Sequence, residues 1–359
     1  MAVTPLRIGP EPLPVGAGQS PFEAAGTVRR FVQLMWSSGL VQAATELRLA
    51  DRIDDEPVAL DELARRTGTD PAALLRLMRA LVAHGFFAAG DDGSFRHTEF
   101  SRALREDAPG SVRNLTLLAN SEWNWRVWGS VADAVRTGEA VFPTAYGKDL
   151  YSYFRDDNPE AATVFNRAMS ESGKWTTGPI VEALNLDGVR TVADVGGGQG
   201  GLLAGVLAQH RELTGTLLDS PEVLRQAGES LRTGGELADR VTLIPADIRE
   251  SVPVTADLYV MRQVMHIWDD ETCLKILRNC AASAKGKARI VLVEHVVTEG
   301  AEPNPTFTAL LDVLMMLIGP GKERTERDFG ALLDAAGFDL VGVTRIHAPL
   351  ALVTGELRS

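Results

Sequence analysis

The residues with the most chemical content lie where an apolar strand ends in an acid and runs into glycines, Val192-Ala193-Asp194-Val195-Gly196-Gly197-Gly198-Gln199-Gly200-Gly201. Glycines at such a turn let the backbone approach a ligand that a Cβ would exclude. The Leu202–Gln209 run that follows reads as a helix whose N-terminus faces that ligand. The implied chemistry is the binding of a nucleoside cofactor, and the spacing Gly196-x-Gly198-x-x-Gly201 also satisfies the dinucleotide fingerprint. Polar residues then recur after apolar runs: Asp219 after Thr214–Leu218, Asp247 after Val241–Ile244, His266 after Ala256–Val260 and Glu294 after Arg289–Val293. Asp219 stands roughly 20 residues beyond the glycines, the distance at which an acid accepts from both ribose hydroxyls. The stretch Asp219-Ser220-Pro221-Glu222 also reads as a helix start, and the two jobs are compatible.

The elements that must position these residues follow from periodicity. From Thr191 onward strands and helices alternate, as in a Rossmann-like, doubly wound α/β sheet, and such sheets bind ligands at the carboxyl ends of their strands. Nearer the N-terminus, helices are expected over Gly39–Ile53, Leu60–Thr67 and Pro71–His84, followed by a hairpin of Gly85–Ala89 and Ser94–His97 around Asp91-Asp92-Gly93. Three helices and a wing make a winged helix, which raises DNA binding as a possibility. The third helix, however, carries Leu74, Leu75, Leu77, Met78, Leu81 and Val82, with Arg76 and Arg79 as its only cations. It suits burial better than a phosphate-lined groove, so the module reads as a packing or dimerisation device. Ser111 to Leu186 is helical throughout and rich in aromatics, most of them core; a flat substrate would suit the rest as cleft walls. The expected organisation is a Pro/Gly-rich arm over residues 1–19, a winged-helix-like dimerisation domain over 20–110, a helical pocket region over 111–186 and the cofactor-binding domain over 187–359.

Composition bounds the alternatives. The chain has 359 residues, 45% hydrophobic and 23% charged, with a formal net charge of −12. An acidic surface gains nothing from phosphate counterion release, so neither nucleic acid nor an anionic membrane is expected as a partner. No apolar run approaches the ~18 residues that span a bilayer, and the N-terminus lacks a secretory pattern. The two cysteines, Cys273 and Cys280, fit reduced, buried thiols in a cytoplasmic protein. His84, His97, His210 and His347 have no partners at metal-ligand spacing, and no metal is expected.

Five motifs in order carry a family resemblance: Asp194–Gly200, Leu218–Val223, Arg240–Ile248, Arg262–Asp270 and Gly321–Thr325. Together they resemble the S-adenosylmethionine-dependent O-methyltransferases of the caffeate and hydroxyindole type, over residues from about 20 to 350. The resemblance implies S-adenosylmethionine in place of a dinucleotide, a homodimer, and a small aromatic substrate in specialised metabolism. It also implies residue roles. Gly196, Gly198 and Gly200 would pass beneath the methionine moiety, Asp219 would bind the ribose, and Asp247 would meet the adenine amine with Ile248 and Trp268 against the ring. Arg262 stands where the family usually has Lys, at the cofactor's end. His266 matches the catalytic base, and Glu294 and Glu323 match the acids that flank it.

The chemistry is consistent with those roles. Methyl transfer from a sulfonium is mainly a matter of positioning, but a phenol with a pKa near ~10 must lose its proton to attack well. A histidine can take it, while a carboxylate orients the ring and stabilises its charged form. His295, beside Glu294, should point to the other face of its strand and is left out of the site. Trp125, Phe165, Met169 and Met316 are the candidate substrate-contacting residues. Ile267 follows the histidine where many relatives have Asp or Asn. Four alternatives use the same features: C-methylation of a phenolic amino acid or related aromatic, a repurposed fold member acting as decarboxylase or hydroxylase, a ligand-sensing DNA-binding regulator, and an oxidoreductase that binds a dinucleotide.

Overall fold

The apolar runs from Thr191 onward are buried on both sides, and their alternation assigns each side chain to one of two cores. Val192, Leu258, Val260, Val291 and Val293 pack with Leu202 and Val206 on one face of the sheet. Ala193, Val195, Tyr259, Met261, Ile290 and Leu292 pack with Ile276, Leu277 and Leu333 on the other. Cys273 and Cys280 are buried, free thiols in this second core. The computed structural model describes residues 20–299, 305–346 and 350–358, so the arm expected over residues 1–19 lies outside the described residues. The sheet has seven strands in the order Phe338–Arg345, Ala351–Leu357, Arg289–Glu294, Leu258–Arg262, Thr191–Val195, Thr214–Asp219, Val241–Pro245. Those from Thr191 to Glu294 are parallel; Phe338–Arg345 and Ala351–Leu357 form an antiparallel hairpin, so the sheet is mixed. Thr191–Val195 lies between Leu258–Arg262 and Thr214–Asp219. The strand order reverses there, and the crevice outside the strand ends holds the glycine turn.

The chain divides into two compact units. The unit with the sheet also contains Val127–Pro159 and the helical segment from Gly173 onward. The other holds the described residues up to Arg126 together with Glu160–Ser172. Its core gathers Ala44, Leu49, Leu63, Leu74, Met78, Leu81, Phe87 and Phe95. The third helix, Pro71–Ala83, thus spends its apolar face inside the unit. The hairpin Phe87–Ala89 with Ser94–His97 is present and gains a third short strand, Val58–Ala59.

The first helix begins much earlier than its periodicity suggests, at Pro21, and runs to Glu46. Ser20 caps it in a reciprocal capping box with Glu23. Phe22, Val28, Phe31, Val32, Met35 and Trp36 are exposed along it, with Phe22 at 89% and Trp36 at 63%. Apolar residues around the whole circumference leave no single stripe for a periodicity argument to find. Among the described residues no helix is long and apolar enough to cross a membrane.

The loop that carries His266 is held from outside itself. The chain leaves Leu258–Arg262 through Gln263, in the left-handed region at φ 54°, and makes one 3-10 turn over Met265–Ile267. Arg324, fully buried, donates Nη1 to the Met265 carbonyl at 2.6 Å and Nη2 to the Trp268 carbonyl at 2.7 Å, and pairs with Asp270 at 2.8 Å. Arg324 and Thr325 form a two-residue parallel pairing with Val296 and Val297, which brings Glu323 next to Glu294. Gly321 packs so closely under the loop that a Cβ there would meet the His266 carbonyl at 2.1 Å. Arg324→Met fills the space but strips the loop of its guanidinium donors, leaving the Met265 carbonyl to the Trp268 amide and the weak Cys273 thiol donor, and is expected to cost roughly 3 kcal/mol in urea unfolding. A loss below about 1 kcal/mol would mean that the loop finds its conformation without the guanidinium.

Candidate active site

At the mouth of the crevice the glycine turn is built for close approach. Gly196 has φ 70°, and a Cβ there would touch Val264 at 3.0 Å and Ile248 at 3.3 Å. Gly200 has φ 80°, with Leu231 where its Cβ would be. Gly198, at φ 62°, differs because a Cβ there would meet nothing within 4 Å, so the backbone itself borders open space. Its N–H donates to Asp219 Oδ2 at 2.8 Å, and Ser220 N–H donates to Oδ1 at 2.7 Å. Burial raises the Asp219 carboxyl above the usual range, with these amides opposing the shift. Each oxygen keeps lone-pair capacity for a further donor.

Two further groups stand beside the turn. Asp247 is gripped by Arg249, whose Nε and Nη2 donate at 2.9 and 2.7 Å, and this pairing lowers its pKa. The Arg249 guanidinium lies 4.9 Å from the centre of the Trp268 ring, and Tyr151 stacks on Trp268 at 6.2 Å. Asp194 is buried at the end of its strand, both carboxylate oxygens without a hydrogen-bond partner among the described residues. Burial pushes it up to about 6, against the attraction of Arg262. Arg262 Nη1 donates to Thr177 Oγ1 at 3.3 Å. An acceptor for hydroxyls, a second acid, a guanidinium and a bare backbone floor form a donor and acceptor set that fits an adenosine carrying an amino-acid tail.

His266, Glu294 and Glu323 form a buried cluster whose ligand-type atoms lie within 4.8 Å of one another. His266 Nδ1 sits 2.8 Å from Glu323 Oε1. A carboxylate can only accept, so Nδ1 carries a proton, and in the neutral ring Nε2 keeps its lone pair. Glu294 Oε1 accepts from the Val264 and Met265 amides at 2.9 and 2.8 Å, which ties the histidine's loop to the strand end. The second oxygens of Glu294 and Glu323 are buried without partners among the described residues. Burial pushes the Glu294 carboxyl up to about 7, opposed by His266. For His266 burial acts downward, but the Glu323 hydrogen bond and both carboxylates outweigh it and the imidazole pKa is raised. These ligand types and spacings would also suit a metal ion; a cation at Nδ1 would displace the hydrogen bond on which base chemistry rests.

The other candidates are more scattered. Met316 borders an open cavity of about 620 Å³ with Pro143, Asp312 and Gly321, and Asp312 Oδ1 accepts the Glu323 N–H at 2.8 Å. Trp125 and Phe165 are half-buried and Met169 is exposed, all three in the other unit. His295 is buried away from the cluster, with Nδ1 at 3.1 Å from Thr308 Oγ1. Arg249, Thr177 and Arg324 were not singled out from the sequence, and Tyr151 was read only as one of the aromatics between Ser111 and Leu186. Arg324 lies inside the Gly321–Thr325 motif, but nothing in a string of residues says that an arginine is buried.

Comparison with known proteins agrees with this geometry. Residues 128–339 match the O-methyltransferase domain family, and residues 30–107 match the O-methyltransferase dimerisation domain. The chain is 35% identical over 336 residues to a mitomycin biosynthesis 6-O-methyltransferase of Streptomyces lavendulae, covering 93% of each protein. It is 33% identical to the phenazine O-methyltransferase PhzM of Lysobacter antibioticus, covering 89% of this chain and 92% of that one. Among solved structures, the mitomycin 7-O-methyltransferase MmcR superposes with a TM-score of 0.85 at 33% identity, over 94% of this chain and 98% of that one. With both of its domains matched in sequence and the fold shared over nearly its whole length, the chain belongs to the O-methyltransferase family.

Proposed function

We propose that the protein transfers a methyl group from S-adenosylmethionine to an aromatic hydroxyl of a small molecule, with His266 as the general base. The observation that carries this reading is the buried hydrogen bond from His266 Nδ1 to Glu323 Oε1, with Glu294 closing the cluster. Relatives named as a mitomycin biosynthesis 6-O-methyltransferase, a phenazine O-methyltransferase and a 3-amino-4-hydroxybenzoate 4-O-methyltransferase support the acceptor class. Gly196, Gly198 and Gly200 would form the floor beneath the cofactor. Asp219 would accept from the ribose hydroxyls, Asp247 from the adenine amine, and Ile248 and Trp268 would pack on the adenine, with Arg262 at the amino-acid end. When bound, the cofactor supplies an electrophilic methyl on a sulfonium.

The protein's own part is to orient and to hold a proton. Glu323 fixes the tautomer in which Nε2 is free to take the hydroxyl proton, and both carboxylates stabilise the imidazolium that results. A raised imidazole pKa makes that transfer more favourable. The neutral form needed for it is present only above that pKa, so turnover falls as the pH drops through it. The exposed apolar residues of Pro21–Glu46 suit a second copy of this chain as their cover, in keeping with the dimerisation match. The acidic balance and the buried, reduced thiols support a cytoplasmic enzyme without nucleic-acid or membrane partners.

Methyl-labelled S-adenosylmethionine with a panel of phenols and hydroxylated polycyclic aromatics, the product read by NMR, tests the reaction. Label on oxygen is expected; label on carbon would replace the reading with C-methylation. His266→Ala should lower turnover about 10²-fold or more while calorimetry with S-adenosylhomocysteine shows unchanged affinity, and retained turnover would remove the base. Glu323→Gln takes away the partner that raises the imidazole, so the acid limb of the kcat profile should move to lower pH as kcat falls. A limb that stays put would show that Glu323 does not set the base. Trp36→Glu with Phe31→Glu should turn a dimer into a monomer in sedimentation velocity, and an unaltered dimer would place the interface elsewhere.

A further inference from the structure

Glycine is second only to proline in weakening the interior of a helix, so Gly173 within Pro159–Ala183 calls for a reason. Its neighbour supplies one. A Cβ at Gly173 would stand 2.7 Å from Nη2 of Arg262, 3.0 Å from Nη1 and 3.1 Å from Cζ. Three guanidinium atoms converge on one point, so the group lies against bare helix backbone. One turn along, Thr177 Oγ1 donates to the Gly173 carbonyl at 2.8 Å and accepts from Arg262 Nη1 at 3.3 Å. Gly173 and Thr177, four residues apart on one helix face, together form a seat for the guanidinium. Arg262 ends the strand beside Thr191–Val195, at the same edge as the glycine turn. Of its five N–H donors, one is engaged among the described residues.

We propose that Gly173 is a positioning residue, whose missing Cβ seats the Arg262 guanidinium so that its other N–H groups meet the carboxylate of the cofactor's amino-acid portion. The inference rests on the cofactor reading above. An alanine at 173 clashes only with the far end of a flexible side chain, so the fold survives and the guanidinium moves. Stability and affinity therefore change in opposite directions, which a merely structural glycine would not produce.

The experiment is calorimetric titration of Gly173→Ala, Arg262→Lys and the double variant with S-adenosylhomocysteine and with methylthioadenosine, which lacks the amino-acid portion, alongside thermal melting. Gly173→Ala should melt no lower than the parent, bind S-adenosylhomocysteine about tenfold more weakly, and bind methylthioadenosine unchanged. Arg262→Lys should weaken S-adenosylhomocysteine on its own, and in that background the alanine should cost nothing further, because an ammonium needs no flat seat. Unchanged S-adenosylhomocysteine affinity in Gly173→Ala would overturn the proposal. So would equal losses with both ligands, or additive losses in the double variant. Parent protein that fails to bind S-adenosylhomocysteine would overturn the cofactor reading itself, and normal binding by Arg262→Lys would remove Arg262 from it.

Discussion

The site depends on one short loop, Gln263 to Trp268, being held in a shape its own sequence does not favour. Its amides end on a buried acid, Glu294, and its carbonyls on a buried base, Arg324. Each charge is costly to bury and is compensated by bonds to the loop's peptide groups. The same two residues also act on the electrostatics around His266, beside burial and the Glu323 hydrogen bond. The carboxylates draw the imidazole pKa upward, and the Arg324 charge, together with burial, works against them. The contacts that fix the loop's position therefore also contribute to the basicity of His266.

The cofactor side obeys a different constraint, space. At Gly196 and Gly200 a side chain would collide with packed apolar groups, while at Gly198 it would enter the open crevice. Two of these glycines therefore close the floor and one leaves it clear. Asp219 links floor to wall by accepting the Gly198 amide, so the carboxylate is oriented before any ligand arrives. Pre-oriented acceptors of this kind lower the ordering cost of binding.

How much of this was legible depended on what kind of constraint wrote each residue. The glycine turn and the polar residues after strands could be found because chemistry and backbone geometry restrict residue type at fixed spacing. The parallel strands showed as apolar runs because both of their faces are covered. The hairpin of Phe338–Arg345 and Ala351–Leu357 was not anticipated: Gly342 and Gly355 interrupt its apolar pattern, and the register shifts between Leu340 and Gly342. Helix Pro21–Glu46 was seen only at its inner end, because periodicity detects a covered face and this helix leaves most of its apolar residues uncovered within the chain. Arg324 and Gly173 were missed for a common reason. Each acts through a neighbour distant in sequence, the loop at 265–268 in one case and Arg262 in the other, and spacing carries no trace of such a meeting.

The strand order has a consequence for how the protein is made. Ala351–Leu357 is synthesised after every other strand of the sheet, yet it lies inside, paired on one side with the strand that ends in Glu294. Until it emerges from the ribosome, Arg289–Glu294 has a free edge of Ile290, Val291, Leu292 and Val293, an open template for pairing with another chain. A nascent polypeptide stalled short of that strand would carry His266, Glu294 and Glu323 and still be an aggregation hazard, and it is the late arrival of Ala351–Leu357 that retires the hazard.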